Sequence, residues 1–474
     1  MSELLSAIID QAHFADEEGA GPNGNSIVQE FVQRVADTAE SSSKGVGVGI
    51  AEAIAQIDAQ ISTQLTEIMH NSKFQKLEGT WAGLAAFVKG TETGATLKLK
   101  VFSATVDEMA SDLFAAVEFD QSHLFKEVYE QQYGTFGGNP YSMIVLDHEF
   151  NAGNKDISLL RELSGVAAAA HAPLITAAGA SFFGMKDFSQ LSSPRDLARV
   201  LDSSEYAKWK TFRETEDSRY VALTLPRVLA RAPFGPNGNP VKDVNFVEDT
   251  DGTNSEDFVW SNSCWYFASR ITAAFSTYGW TAAIRGVEGG GLVENLPAVN
   301  FKTSSGDVEL VCPTETPITD RREKELSDLG FIPLVHCKGT DSAAFFGGQT
   351  ANKAKKYDDD AANANALISA RLPYILAASR FAHYFKVMLR DKVGSFESAS
   401  TIQDFLQGWI GKYILLDDNA SHQSKARFPL REARVEVREV PGSPGEYTAI
   451  AYLRPHFQLE EISASIRLVA ALPA

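Results

Sequence analysis

Cysteine is scarce in this chain. Its three residues, Cys264, Cys312 and Cys337, show no CxxC spacing. They cannot build a paired disulfide framework, and neither a zinc site nor a redox pair is expected of them. They read as small buried hydrophobes of a reduced, cytosolic protein. Positive charge is also in deficit, with 43 Lys plus Arg against 61 Asp plus Glu and a net charge of −18. Phosphate neutralisation needs a cationic footprint, so general affinity for nucleic acid is not expected. No uninterrupted apolar run reaches the ~20 residues of a membrane span. The best approximation, Val166 to Met185, is broken by His171, Pro173 and Gly179, and reads as a helix followed by a buried strand. Met1 to Glu18 has no basic n-region, so no signal peptide is expected.

The common catalytic signatures are missing as well. No GxSxG elbow and no GxxxxGK loop occurs, and His148-Glu149 begins an HExxH motif that fails at Ala152. Gly19 to Gly24 has the GxGxxG spacing, but no strand precedes it and acids surround it, where pyrophosphate would be repelled. Gly286 to Gly291 ends in three consecutive glycines, which allow close backbone approach. A phosphate cradle would be followed by a helix start with Lys, Ser or Thr, and here Leu292-Val293-Glu294 follows. His171, His336, His383 and His456 sit in apolar contexts and read as core or interface residues. Glu216 to Arg219 and Asp320 to Glu323 set carboxylates beside arginines. That pattern favours fixed ion pairs over acid–base work, and Thr319 or Asp320 can serve as a helix N-cap.

What is present is an ordinary globular composition over 474 residues, 44% apolar and 22% charged, enough for roughly two to four domains. Residues 1–49 stand apart, with two Gly/Ser-rich pieces flanking a short helical pattern, Ile27 to Val35. Ile50, Ile54, Ile57, Ile61, Leu65 and Ile68 then recur at three- and four-residue spacing, a helix with a narrow apolar stripe suited to another helix or to its own core. Leu97 to Val101 alternates as a strand. Met143 to Leu146, the helical run Asp156 to Ala170, and Pro173 to Thr176 together spell strand–helix–strand, the βαβ unit of an α/β core. Residues 223–260 read as loop-rich, and the charged stretch Lys353 to Asp360 marks a domain boundary.

Beyond it, Tyr374 to Lys392 is a strong helix. At ~100° per residue, Tyr374, Ala377, Phe381, Tyr384, Phe385, Met388 and Leu389 share one face, and Arg380, His383, Lys386 and Arg390 form an opposite, outward-looking basic stripe. Residues 371–474 hold 13 basic and 11 acidic groups, while residues 1–370 hold 30 and 50. A basic stripe on so acidic a chain suits an acidic partner or a solvated face. Arg434 to Val440 and Tyr447 to Leu453 alternate around a PGSPG turn as a hairpin, and Ile462 to Val469 is a last alternating strand.

Several blocks occur in order: EDSRY (Glu216 to Tyr220), TLPRVLAR (Thr224 to Arg231), IRGVEGGG (Ile284 to Gly291), ITDRREKELSDLGFIPL (Ile318 to Leu334), LPYILAASRFAHYFKV (Leu372 to Val387) and RPHFQLE (Arg454 to Glu460). Together, from about residue 50 to the end, they resemble the large subunit of the contractile sheath of bacterial type VI secretion systems. The resemblance implies a structural, non-enzymatic protein without a cofactor or metal, located in the bacterial cytoplasm. It implies a mixed α/β contractile-sheath fold: a flexible acidic segment 1–49, a pairing helix 50–73, an α/β body 74–360, and a C-terminal domain 361–474 with an inward helix, a hairpin and an exchanged C-terminal strand.

The implied partners are a small sheath subunit in an obligate heterodimer, neighbouring copies of the chain, the inner tube, the baseplate, and a recycling ring ATPase acting on contracted sheath. Neither nucleic acid nor membrane insertion is implied. On this reading Ile50, Ile54, Ile57, Ile61, Leu65 and Ile68 clasp the small subunit. Arg380, His383, Lys386 and Arg390 face the tube. Val435, Val437, Tyr447, Ala449 and Ala451 form the acceptor sheet for strand exchange, and Ile462, Ala464, Ile466 and Leu468 the arm that reaches a neighbour. Two rivals share some of these features: an acidic cytosolic α/β enzyme with a site near Gly286–Gly291 and Glu216–Arg219, and a phage-like tail sheath of one subunit type.

Overall fold

A computed structural model describes residues 46–456, apart from 194, 237, 243–244, 251–253, 303–307, 396–397 and 442–445. The expectations placed on residues 1–45, and on Ile462, Ala464, Ile466 and Leu468, lie outside the described residues. Two compact units emerge. One gathers residues up to Glu78 with Arg231–Val259 and Pro297–Val311; the other holds Gly79–Ala230, Trp260–Leu296 and everything from Cys312 onward.

In the first unit the main element is helix α1, Val46–Met69. After a break at His70-Asn71 the chain continues as α2, Ser72–Lys89. A cluster of charges ties the C-terminal end of α1 to the segment after Arg231. Arg231 bonds both Glu78 and the buried Glu248, and His70 Nε2 lies 3.3 Å from Glu248.

The second unit is built on a six-stranded sheet in the order β1-β2-β3-β5-β6-β4. Its strands are β1 (Ile144–Phe150), β2 (Leu174–Ala178), β3 (Val221–Leu225), β4 (Leu292–Val293), β5 (Phe331–His336) and β6 (Ala343–Phe345). β1, β2, β3 and β5 run parallel, and β6 joins β5 and β4 antiparallel. Helix α3 (Asn154–Ala169) makes the β1–β2 crossover, and α4 (Ser263–Tyr278) packs on the other face.

The alternation of strand residues explains that placement. Leu174, Val221, Leu223 and Phe331 join the core with Leu160 and Leu163 of α3, whereas Ile175, Ala222, Ile332 and Leu334 join Cys264, Phe267 and Ile271 of α4. A sheet covered on both faces needs apolar residues at every strand position, which is why these strands read as continuous runs. The α/β core expected from the sequence is therefore present.

Two local expectations fail. Leu97 to Val101 has no strand partner among the described residues. Gly94 N–H closes a turn on the Leu97 carbonyl (2.9 Å), and Val101 is 68% exposed. Alternation makes a strand only where a ladder is offered. Of the cysteines, only Cys264 is buried. Cys312 is half-exposed and engages the Thr314 hydroxyl at 3.2 Å; burial pushes its thiol up, but hydrogen bonds from His336 and Thr314 outweigh this and hold it below the ordinary value.

The C-terminal part carries its own cluster. Helix α5 (Asp320–Asp328) precedes β5, and α6 (Leu372–Lys392), opened by Pro373 in its first turn, follows the sheet. Next comes α7 (Ala399–Ile410), N-capped by the Ser398 hydroxyl accepting from Thr401 N–H. Strands β7 (Leu430–Glu439) and β8 (Tyr447–Pro455) form a two-stranded antiparallel hairpin. Phe381 and Phe385 of α6, Ile402, Leu406 and Ile410 of α7, and Leu430, Ala433, Val435 and Val437 of β7 meet around Trp280, which stacks on Phe381 at 4.5 Å.

Candidate functional site

The glycine loop is occupied by its own backbone. Gly286 has φ +74° and Gly290 φ +91°. Gly286 N–H donates to the Phe345 carbonyl (2.7 Å), Gly291 N–H donates to the Gly286 carbonyl (2.8 Å), and a Cβ on Gly291 would collide with the Phe345 carbonyl and the Arg285 backbone. These glycines let the loop before β4 run close against the backbone of β6, the strand beside β4 in the sheet. Glu216 is held by Arg219 (2.7 Å) and Lys355 (3.0 Å), and Arg322 by Glu325 (2.6 Å). Thr319 sits at the N-cap of α5 without a side-chain cap bond. Among the described residues no group of His, Cys, Asp or Glu could hold a metal ion, and no helix is long and apolar enough to cross a membrane.

The basic stripe of α6 does not look outward as the helical wheel implied. His383 is buried, with Nε2 2.9 Å from the Ala170 carbonyl and its ring 5.2 Å from that of Tyr133. Desolvation lowers its pKa to about 4 despite the Ala170 bond, and nearby His171, Arg380 and Lys386 push the same way. Lys386 Nζ rests 3.5 Å above the Tyr133 ring and bonds the Tyr129 hydroxyl at 3.2 Å. Arg390 donates to the carbonyls of Thr135, Tyr133 and Gly134, at 2.9, 2.9 and 3.4 Å. Arg380 lies over Phe275, Trp280 and Tyr384. The π-helix Lys126–Gly134 and the aromatic residues near α4 therefore cover an arc that the sequence left open. Tyr384, assigned to the apolar face, is instead exposed.

The stripe on α1 behaves in the opposite way. Ile54, Ile57, Ile61, Leu65 and Ile68 are exposed, between 37% and 58%, and Ile50 is half-buried. The side of α1 turned toward its own unit is polar. Thr66 is buried, and the hydroxyls of Ser62 and Thr66 accept N–H bonds from Val247 and Asp249, each at 3.4 Å. Ordinary surface helices bury their apolar stripe and wet the polar one; α1 is inverted.

Helix α2 buries Phe87 but also carries an exposed apolar line, and this stripe the sequence reading missed. Gly79 and Gly83 are buried, where a Cβ would collide with the Trp260 carbonyl or with Ser261 and Trp265, while Phe74, Leu77, Trp81 and Val88 are exposed. A line of exposed large side chains opposite buried glycines is the signal that could have been found.

In the hairpin, Val435 and Val437 are buried, and Tyr447, Ala449 and Ala451 pack half-buried against the same cluster. Val435 lies opposite Ala451, Val437 opposite Ala449, and Glu439 opposite Tyr447. The structure thus brings these five residues into one small sheet, with the backbone edge of Val435 and Val437 occupied by the side chains of Gln407 and Gln403.

Comparison with known proteins adds identity to this geometry. Residues 51–352 match the family described as EvpB/VC_A0108, tail sheath N-terminal domain, and residues 361–472 match the EvpB/VC_A0108, tail sheath gpW/gp25-like domain. The chain is 47% identical over 416 residues to the type VI secretion system sheath protein TssC1 of Pseudomonas aeruginosa, covering 87% of this chain and 83% of that protein. Among solved structures, the contracted helical sheath of the anti-feeding prophage aligns at 14% identity and TM-score 0.32, over 65% of this chain and 66% of that one. The contracted sheath complex of the extracellular contractile injection system PVC aligns at 9% identity and TM-score 0.33, over 79% and 98%.

Proposed function

This chain belongs to the EvpB/VC_A0108 family of tail-sheath proteins, and on that premise we propose that it is the large subunit of a type VI secretion sheath, a structural protein and not an enzyme. It pairs with a small sheath subunit, polymerises with copies of itself around an inner tube in the bacterial cytoplasm, and shortens to drive the tube forward. The baseplate and a recycling ring ATPase are its further partners. The domain division at 49, 73 and 360 is kept as part of this proposal.

The observation that carries the reading is the inverted helix α1. Five large aliphatic side chains in one line, over a polar inner face, are unfavourable in water and suit an amphipathic helix of a partner laid along them. The exposed side chains of α2 are a second apolar stripe, and we assign both to the small subunit. Strand exchange supplies the link between protomers. The hairpin β7–β8 is the acceptor and Ile462–Val469 the donated strand, so that backbone hydrogen bonds persist while linkers hinge. Contact with an acidic tube surface falls to the exposed portions of Arg380, Lys386 and Arg390, with His383 excluded by its burial.

The test is co-expression with the adjacent small-subunit gene, followed by negative-stain electron microscopy. Hollow cylinders that require both chains are expected. Discrete soluble particles, with or without the second chain, would overturn the sheath reading, and cylinders from this chain alone would favour a single-subunit tail sheath.

A further inference from the structure

Cys312 and His336 come from separate segments, and each is held by paired backbone. Around Cys312, the Pro313 carbonyl accepts from Leu229 N–H (2.8 Å), Glu315 N–H donates to the Arg227 carbonyl (3.0 Å), and Thr314 bridges to Val228. His336 ends β5 opposite Ala343 of β6, and Cys337 N–H closes the following turn on the Ser342 carbonyl (2.9 Å). Side chains carried on paired elements keep a fixed geometry better than side chains on free loops.

The contacts run in the order nucleophile, base, orienting group. Cys312 Sγ lies 3.2 Å from the Thr314 hydroxyl, which itself donates to the Thr316 carbonyl (3.0 Å). The His336 imidazole hydrogen-bonds the same thiol, and its Nε2 lies 2.9 Å from the Thr340 carbonyl. A carbonyl only accepts, so Nε2 carries a proton and Nδ1 is left to exchange one with Sγ. A base within reach of a thiol, with a third group orienting the base, is the arrangement that activates the sulfur. Cys312 and His336 are both half-exposed, so small solutes reach the pair.

Their titrations are shifted by each other. Burial pushes the Cys312 thiol up, but the hydrogen bonds from His336 and Thr314 outweigh it and hold the thiol below its ordinary value. The bond to Cys312 raises the His336 imidazole against burial, and the Thr340 carbonyl adds to the rise. The charge acting on each member is that of the other. Both shifts favour thiolate beside imidazolium. The other two cysteines lack this setting. Cys264 is fully buried, and burial pushes its thiol well up. Cys337 is half-exposed like Cys312, but no group among the described residues hydrogen-bonds its sulfur.

We propose that Cys312 and His336 form a reactive-thiol site for hydroperoxides, at which this chain is oxidised on one selected cysteine. The inference does not depend on sheath assembly. As thiolate, Sγ attacks the terminal oxygen of the peroxide. The S–O bond forms as the O–O bond breaks, and the departing oxygen takes the proton from His336 Nδ1. Cys312 becomes a sulfenic acid, oxidised by two electrons, and the peroxide is reduced to water or an alcohol. A peroxide suits the site because its leaving oxygen needs a proton where Nδ1 holds one, and because it is small enough for a half-exposed sulfur.

Site-resolved labelling of the purified complete chain, read by peptide mass spectrometry, tests this. With iodoacetamide, the rate at pH 6.5 is divided by the rate at pH 9.5 for each cysteine, so that accessibility cancels and the ratio reports the thiolate fraction. An ordinary thiol, with pKa ~8.5, gives a ratio of about 0.01. Cys312 should exceed that ratio at least threefold, and His336→Gln should return it toward the ordinary ratio while Cys337, the internal control, is unchanged. An ordinary ratio at Cys312 in the parent chain would refute the site, whether or not the variant folds. A raised ratio that His336→Gln leaves in place would overturn His336 as the base. Hydrogen peroxide with dimedone, which traps sulfenic acids, is then applied to a Cys337→Ser chain and to a Cys312→Ser chain. An adduct at Cys312 and none at Cys337 is expected. No adduct at Cys312, or equal adducts at the two, would overturn the peroxide as the reagent of this site.

Discussion

Replacing Ile57, Ile61 and Leu65 together by alanine is the sharpest perturbation of the proposed partner surface. These side chains are 42%, 37% and 37% exposed. Full burial of such a side chain is worth ~1.5–3 kcal/mol, so covering the remaining two fifths contributes about 1 kcal/mol each. The triple variant therefore removes about 3 kcal/mol from association, or roughly a hundredfold in affinity at 1.4 kcal/mol per decade. Folding should be nearly untouched, because the three side chains make few contacts within the unit and alanine is the better helix former. The assay is the dissociation constant of the purified heterodimer by dilution and sedimentation, beside circular dichroism and thermal melting of the variant. An affinity within threefold of the parent, with cylinders still forming, would refute the reasoning and leave α1 as a solvated face.

Three further outcomes are expected. Arg390→Ala removes the donor to three carbonyls at the C-terminal end of the π-helix and should lower stability by ~2 kcal/mol, seen as a lower Tm of the heterodimer; an unchanged Tm would mean that this arginine is free to serve a partner alone. His383 is held neutral in the fold, with a pKa lowered from 6.5 to about 4. Its contribution is fully present above pH 6.5 and is lost as pH falls toward 4, by up to ~3 kcal/mol; His383→Gln should flatten denaturant midpoints over that window, and an unaltered pH profile would contradict the assignment. Ile466→Pro deletes a ladder donor and should abolish cylinders while heterodimers still form, whereas normal sheaths would sink the strand-exchange reading.

Much of the fold was legible because local pattern reports local structure. Pro173 to Thr176 read as a buried strand because a sheet covered on both faces needs apolar residues throughout, whereas Met143 to Leu146, a strand at the sheet edge, is only half-buried. The βαβ unit followed from strand and helix lengths, α6 from its 3.6-residue period, and the hairpin from two-residue alternation around a turn. The errors have equally physical origins. Leu97 to Val101 alternates, but no partner strand is offered. The stripe on α2 escaped notice because glycines on its inner face look like helix weakeners until Trp260, Ser261 and Trp265 are seen to press against them. The arc holding His383 looked outward because its cover, the π-helix at 126–134, comes from some 250 residues earlier in the chain.

The sequence by itself determined the α/β core, the amphipathic stripes, the lack of catalytic signatures and, through its ordered blocks, the sheath family. Only the tertiary structure decided which stripes are covered. α1 turns its isoleucines outward, α6 turns its histidine inward, and Gln403 and Gln407 close one edge of a hairpin whose own residues give no hint of it. Periodicity fixes which side chains share a face, a property of neighbours in the chain. Whether that face meets water, core or partner depends on segments hundreds of residues away, and no local pattern carries that information.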